Sequence, residues 1–387
     1  MKVEQVYSIT NAIVNEELGL NSPVSEDLSN VVEVGQAIQN ANALDNYVRA
    51  LFDHIGRVVF VERRYSGRVP SVIRDAWEFG AILEKISMKL PEAEENESWQ
   101  LEDRASYDPN IFYKPQISAK FWNKRVTFEI PISITEIQVK SAFSSAVQLN
   151  AFYSMIRNAV ENAMTLRLDG LVMRAINGLA ADTLYAEYSG GSYSGSSGVR
   201  AVNLLYLYNN GPNYGQTAIS AAAAMTKPEF IRFASMVMAN YIDRLSVYST
   251  LFNIDGAERF TSRDLLHVVM LAEFKNAAGA YLQSDTFNEQ YTALPQAETV
   301  PFWQGSGTSY AFSDTSNIKV TSPAGHSVDA SGILAVMFDR DALGVACLDR
   351  RVKSHYNEKA EFWNEFNKLD CGLWNDPSEN MVVFFVA

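Results

Sequence analysis

Residues 90–108, LPEAEENESWQLEDRASYD, hold the densest set of groups in this sequence that could do acid–base or metal chemistry. Glu92, Glu94, Glu95, Glu97, Glu102, Asp103 and Asp108 face one cation, Arg104, so seven negative charges less one positive give six of the chain's thirteen net negative charges. Paired carboxylates serve general acid–base catalysis and bind Mg2+ or Ca2+. This pattern suits neither use. An EF-hand loop needs a central glycine, and PEAEENESWQLE has none. Catalytic carboxylates need apolar surroundings to shift their pKa values, whereas a run of glutamates is solvated. The favoured reading is a tip that docks on another molecule, ahead of an ordinary solvated loop and of a catalytic centre.

Other reactive residues point away from catalysis. His54, His267, His326 and His355 form no HExxH or paired spacing. Cys347 and Cys371 form no CxxC and read as reduced thiols of a cytosolic protein. GSYSG places tyrosine where a nucleophile elbow needs serine, GSGTSY lacks the third glycine of a dinucleotide loop, and no GxxxxGK[ST] occurs. Asp339 and Asp341 in FDRDALG read as turn or cap residues. No enzyme, metal or cofactor is expected. Two cationic clusters, Arg63, Arg64 and Arg68 in ERRYSGR and Arg350, Arg351 and Lys353 in DRRVK, read either as solvated surface or as counter-surfaces for the acids on an adjacent copy.

The elements that position the acidic run can be read from hydrophobic periodicity. In FGAILEKISMKL, Ile86, Met88 and Leu90 alternate with Lys85, Ser87 and Lys89; in KRVTFEIPISI, Val126, Phe128, Ile130, Ile132 and Ile134 alternate with polar residues and Pro131. Both are half-buried strands by period, and Pro131 asks for a free edge. Pairing them gives a long two-stranded arm with a charged, aromatic tip (Trp99, Tyr107, Phe112, Tyr113), which needs a partner surface because an isolated hairpin is marginal in water. Next comes a helix over 146–181, about 36 residues or about 54 Å, on which Leu149, Phe152, Ile156, Val160 and Ala163 share a face and Arg157 and Glu161 pair; Gly170 bends it or admits a close neighbour.

Upstream, Ile38, Ala41, Leu44, Val48 and Leu51 mark a helix, and RVVFVERRYSG marks a strand. SGGSYSGSSG at 189–198 reads as a flexible boundary. Beyond it follow a strand VRAVNLLYLY, a helix from Pro228, a strand LLHVVMLAEF and loops over 276–330. The last segment ends in the apolar strand MVVFFVA, which must be paired in a sheet.

The totals agree with a folded protein. Hydrophobic residues make up 47% and charged residues 20%, enough apolar material to order the chain. A net charge of −13 argues against a phosphate-tracking surface. No window of about 18 apolar residues spans a membrane, and MKVEQVYSITNAIVNEELG is not a signal peptide, so a soluble, non-secreted protein is expected.

This order of arm, very long helix, compact α/β unit and returning strands resembles the major capsid proteins of tailed double-stranded DNA bacteriophages, the Hong Kong 97 type of shell fold. RVTFEIPISI leading into NAVENAMTLRLDGLVMRAI carries the resemblance, with the closing FDRDALGVACLDRRVKSHYNEKAEFWNEF…DPSENMVVFF. It implies an α+β fold divided as follows: an N-terminal arm and first peripheral elements over 1–76, an extended hairpin loop over 77–138, a peripheral domain with a spine helix over 139–188, an axial domain over 189–330, and a return segment over 331–387. Starting at Met1, the sequence is expected to lack the long N-terminal scaffolding segment of many relatives. The resemblance also implies self-assembly into hexamers and pentamers of an icosahedral virion shell, assembled in the bacterial host cytoplasm. That shell would enclose double-stranded DNA without sequence-specific binding, with portal, scaffolding or decoration proteins as further partners and no membrane. An encapsulin-like compartment and a soluble acid-dependent hydrolase are the alternatives.

Overall fold

The computed structural model describes residues 7, 10–14, 24–26, 29–40, 46–47, 68–74, 83–93, 95–96, 98, 100–143, 146–211, 217–283, 297–305, 309–322 and 324–387. The strand expected in RVVFVERRYSG, the residues His54, Arg63, Arg64, Glu94, Glu97 and Trp99, and the Ala41, Leu44, Val48 and Leu51 part of the first helical face lie outside them. The chain divides into two units built from separated stretches: residues 1–76, 125–175 and 344–373 form the first, and residues 77–124, 176–343 and 374–387 the second.

In the first unit, the RVTFEIPISI alternation becomes the strand Arg125–Thr135, whose burial alternates along its length. The sheet order is Ile73–Arg74, Leu343–Asn357, Phe362–Asn375, Arg125–Thr135, so this strand is an edge, where a proline without an N–H is tolerated. Its partner differs from the expected one. It pairs antiparallel with Phe362–Asn375, from Thr135 opposite Phe362 to Arg125 opposite Gly372, and not with the strand near residue 86. The reason is burial: Ile134 joins Val139, Phe143, Leu149, Phe152, Ile156 and Trp363 in one core, which a two-stranded arm cannot supply. Thr135 then opens the helix Glu136–Ala142 through a capping box with Gln138.

The long helix runs over Ala146–Tyr188, 43 residues, and is longer than its periodicity alone indicates. Leu149, Phe152, Ile156 and Val160 are buried on the expected face, and Arg157 and Glu161 pair at 3.2 Å. A Cβ built on Gly170 meets nothing within 4 Å, so the close neighbour expected there is absent among the described residues.

In the second unit, five strands lie in the order Ala201–Asn203, Met381–Phe385, Ile333–Asp339, Leu266–Leu271, Glu298–Val300. The apolar C-terminal strand is paired on both sides, antiparallel to Ile333–Asp339 and parallel to Ala201–Asn203, as its composition demands. VRAVNLLYLY is not one strand. The Asn203 side chain accepts the Tyr206 N–H and starts the helix Leu204–Asn210, a capping signal that outweighs the apolar run.

The glycine and serine stretch expected as a loose boundary is tied down within this unit. The Tyr188 hydroxyl donates to the Ala201 carbonyl at 2.9 Å, and the Asn203 amide donates to the Tyr193 carbonyl at 2.9 Å. The Tyr193 ring meets Phe385 edge-on, and the division between units falls in the long helix instead. Asp339 is a turn residue as expected: its carboxylate accepts the Asp341 N–H at 2.8 Å and the Thr261 hydroxyl at 2.7 Å. At Gly332, φ is +82° and a Cβ would stand 2.0 Å from the Val386 carbonyl oxygen, so only glycine fits where the last strand passes.

Candidate docking surface of the arm

The arm belongs to the second unit and consists of Leu83–Met88 paired antiparallel with Ile117–Trp122. One further bond, from the Lys89 N–H to the Gln116 carbonyl at 2.9 Å, closes its base toward the tip. The register sets opposite residues on one face: Met88 with Ile117, Ile86 with Ala119 and Glu84 with Phe121, while Lys85 and Lys120, and Ser87 and Ser118, share the other. The two faces meet different surroundings, and the inward one is the polar one. This reverses the expectation that Ile86, Met88 and Leu90 are the buried side.

Lys85 and Lys120 stand directly opposite each other, which would repel without intervening anions. Those anions come from two loops of the same unit. The Lys85 ammonium donates to Asp376 at 2.7 Å and to Glu379 at 2.6 Å; that of Lys120 donates to Asp376 at 2.9 Å and to Asp255 at 2.7 Å. Arg259 reaches Glu379 at 3.1 Å, and the Trp122 indole N–H donates to the Asn375 carbonyl at 3.1 Å. The Asp376 side chain is fully buried and also accepts the Ser378 N–H and hydroxyl. Burial pushes the Asp376 carboxyl up, but the hydrogen bond and charge of Lys85, followed by Lys120 and Ser378, hold it down at about 2. Burial likewise lowers Lys120, and its bonds to Asp255 and Asp376 outweigh that and raise it.

The outward face is apolar and uncovered: Ile86 is 66% exposed, Met88 51%, Ile117 64% and Phe121 62%. The tip adds Leu101, Tyr107, Ile111, Phe112 and Tyr113, all exposed. Glu92, Glu95, Glu102 and Asp103 are exposed beside them. The Arg104–Asp103 pair at 3.8 Å is almost wholly solvated and contributes little.

The cationic residues read as counter-surfaces lie in the first unit and are partly engaged there. Arg68 pairs with Asp169 at 2.6 Å, and Arg351 pairs with Asp370 at 2.8 Å. Arg350 is half-buried, and Lys353 is exposed. Among the described residues no cluster of His, Cys, Asp and Glu could hold a metal ion. Sequence reasoning missed Lys85, Lys120, Asp255, Arg259, Asp376 and Glu379 as a group; their signal is two lysines in register opposite each other, visible only once the true pairing is known.

The strand pair thus turns its half-buried lysines onto its own unit and leaves isoleucine, methionine and phenylalanine exposed. The family model for Phi29-like phage major capsid proteins matches residues 10–385. The chain belongs to that family. It is a structural protein of a phage head shell, found in the virion as one subunit of a multi-subunit assembly. The match favours neither the encapsulin-like nor the hydrolase reading.

One solved structure supports the fold. A chain of the structure described as head fiber and inner core protein gp22 of native bacteriophage P68 is similar at a TM-score of 0.50 and 10% identity, over 84% of this chain and 86% of that one. Chains from the capsids of Staphylococcus phage Andhra (TM-score 0.45, 10% identity, 81% and 82% covered) and cyanophage P-SCSP1u (0.46, 8%, 82% and 86%) are also similar. No curated protein matches the chain by sequence. No described helix is long and apolar enough to cross a membrane.

Proposed function

We propose that the arm is the part of this capsid protein that reaches a neighbouring copy, laying Ile86, Met88, Ile117 and Phe121 on it, and that repetition of this contact builds the hexamers and pentamers of an icosahedral shell. The single observation that supports this is the inversion of the arm: its lysine face is satisfied on its own unit while its apolar face is left to water. Uncovered apolar surface of this kind marks association surfaces. The shell encloses double-stranded DNA without sequence-specific contacts, a role to which a net charge of −13 is suited, because a container that grips phosphate slows packaging and ejection. Assembly takes place in the host cytoplasm, with portal, scaffolding or decoration proteins as further partners, and the subunit performs no catalysis.

The acids at the tip, Glu92, Glu94, Glu95, Glu97, Glu102 and Asp103, form a polar rim to this contact, opposite cations of the neighbour such as Arg63, Arg64, Arg68, Arg350, Arg351 and Lys353. Such rim pairs give about 0–1 kcal/mol each and act mainly on specificity and association rate. Replacing Glu92, Glu95, Glu102 and Asp103 by their amides therefore raises the assembly threshold by about tenfold, at about 0.3–0.4 kcal/mol for each of the four, and flattens its salt dependence. Light scattering against salt concentration checks this, and a complete block of assembly would promote the acids from rim to core. The main test is electron microscopy of the purified full chain under assembly conditions. Closed particles whose subunits bury the arm's apolar face are expected, and particles with that face in solvent would overturn the docking role.

A further inference from the structure

Lys85, Lys120 and Arg259 carry three positive charges, and Asp255, Asp376 and Glu379 carry three negative ones, all gathered at one end of the arm. Asp376 is central, with one carboxylate oxygen on Lys85 and the other on Lys120, so each strand of the arm is held by the same buried group. Asp376 itself stands on a fixed turn: its N–H donates to the Ala342 carbonyl at 2.7 Å, and the Pro377 carbonyl accepts the N–H of Ile254 at 2.9 Å. A cleft of about 740 Å3 is lined by Lys89, Leu90, Pro91 and Glu92 on the arm and by Tyr248, Leu251 and Glu258 on the loop that carries Asp255.

We propose that Asp376 is the pivot of an ionic seat that fixes the direction of the arm on its own subunit before assembly, so that the apolar face is presented ready-made to the next copy. This rests on the docking role proposed above and adds its regulation. The apolar face alone does not fix a direction, because no described residue of its own unit covers it. Pre-orientation removes the ordering cost from the association step, so the seat raises the rate and lowers the threshold of assembly without touching the neighbour. Loss of the seat keeps the register of the hairpin, because the ladder between Leu83–Met88 and Ile117–Trp122 and the Ser87–Ser118 contact at 2.8 Å are internal to the arm, but lets that ladder open more often, because a hairpin without a supporting surface is marginal in water.

The pivot carboxylate, Asp376, is insensitive to mild acid. The Asp376 carboxyl titrates at about 2, below its usual 3.8, so its contribution is complete above the ordinary carboxyl range and is lost only as the pH falls toward 2. The groups facing it are Lys85 and Lys120 from the arm and Ser378 from its own turn. Around that core stand Asp255, Arg259 and Glu379.

Hydrogen exchange on the unassembled full chain tests the proposal, comparing the wild type with Asp376→Asn and with the double variant Lys85→Met, Lys120→Met, which leaves the 375–380 turn untouched. In both variants amides of residues 83–122 and 249–259 exchange about tenfold faster, while those of Ile333–Asp339 and Met381–Phe385 keep their wild-type rates. Wild-type exchange in 83–122, corrected for the intrinsic pH dependence, is unchanged between pH 5 and 8. Unchanged exchange in the arm of both variants overturns the seat, and so does a uniform acceleration across the second unit, because the cluster would then be ordinary stabilising structure. The outcome is independent of the docking role: a wild-type chain that forms no particles defeats docking while the exchange contrast still decides the seat.

Discussion

Replacing Ile86 and Phe121 together by serine stops shell assembly and leaves the subunit folded. The two side chains are diagonal neighbours on the outward face of the arm, 66% and 62% exposed, so the isolated subunit loses almost nothing when they are cut back. Its thermal midpoint should stay within about 2 °C of the wild type. At the contact between copies the loss is large. Covering the remaining surface of an isoleucine and a phenylalanine contributes about 1–2 kcal/mol each, so the double variant weakens every arm contact by about 3 kcal/mol, or about 100-fold in threshold concentration. Because each subunit of a closed shell carries one arm, the loss recurs at every position. Sedimentation velocity and electron microscopy should find folded subunits and no particles at concentrations where the wild type closes. A variant with a mild change on the polar side of another edge strand, Thr127→Ser, keeps both properties and serves as the control. Normal particles from the double variant would show that the arm's apolar face is not a contact.

The arm also shows what the sequence discloses and what it withholds. Alternation in the lysine-bearing stretch and in RVTFEIPISI identified Leu83–Met88 and Arg125–Thr135, and Pro131 identified an edge, because these are local consequences of a period of two and of a missing N–H, whereas the arm's second strand, Ile117–Trp122, lies in what reads as its irregular tip. Which strands pair is not local. Phe362–Asn375 lies more than 200 residues from Arg125–Thr135, and the choice between it and the nearer strand was made by the core around Ile134 and Trp363, which no pattern within either strand records. The same limit hid the burial of Lys85. A lysine opposite a lysine looks like a solvated pair until Asp376, almost 300 residues away in sequence, is seen to stand over both.

Period and cap chemistry placed the long helix and the helix from Pro228, whereas the stretch SGGSYSGSSG misled because composition reports the freedom of an isolated chain. Tyr188, Tyr193 and Asn203 supply the hydrogen bonds and ring contacts that remove it. The acidic tip was legible as an arm's end and not as a source of binding energy. Its neighbours Ile111, Phe112 and Tyr113 were in plain view, but their exposure depends on the tip having no core of its own.

The largest effect on folding, as opposed to assembly, is expected at Trp303. This side chain is fully buried in the second unit, and its indole N–H donates to the Ile333 carbonyl at 2.8 Å, at the start of a central strand of the five-stranded sheet. Its backbone is used as well: the N–H donates to the Thr315 carbonyl at 3.1 Å, and the carbonyl accepts the Asn177 side-chain amide from the long helix at 2.7 Å. Trp303→Ala keeps the backbone bonds but removes the largest buried side chain at that point, at a cost of about 3–5 kcal/mol for the lost packing. It also leaves the Ile333 carbonyl without its indole donor, for about 1 kcal/mol more. That is a large share of the stability of a unit this size, and calorimetry should show its transition lowered by about 10–15 °C. Trp303→Phe separates the two causes. Phenylalanine restores most of the volume and none of the hydrogen bond, so its transition should fall by only a few degrees if packing dominates, and by nearly as much as the alanine variant's if the bond to Ile333 does. Packing is expected to dominate, because the indole meets one acceptor through a single atom while the rest of its surface is enclosed, and for a side chain of this size enclosed apolar surface stabilises more than one hydrogen bond.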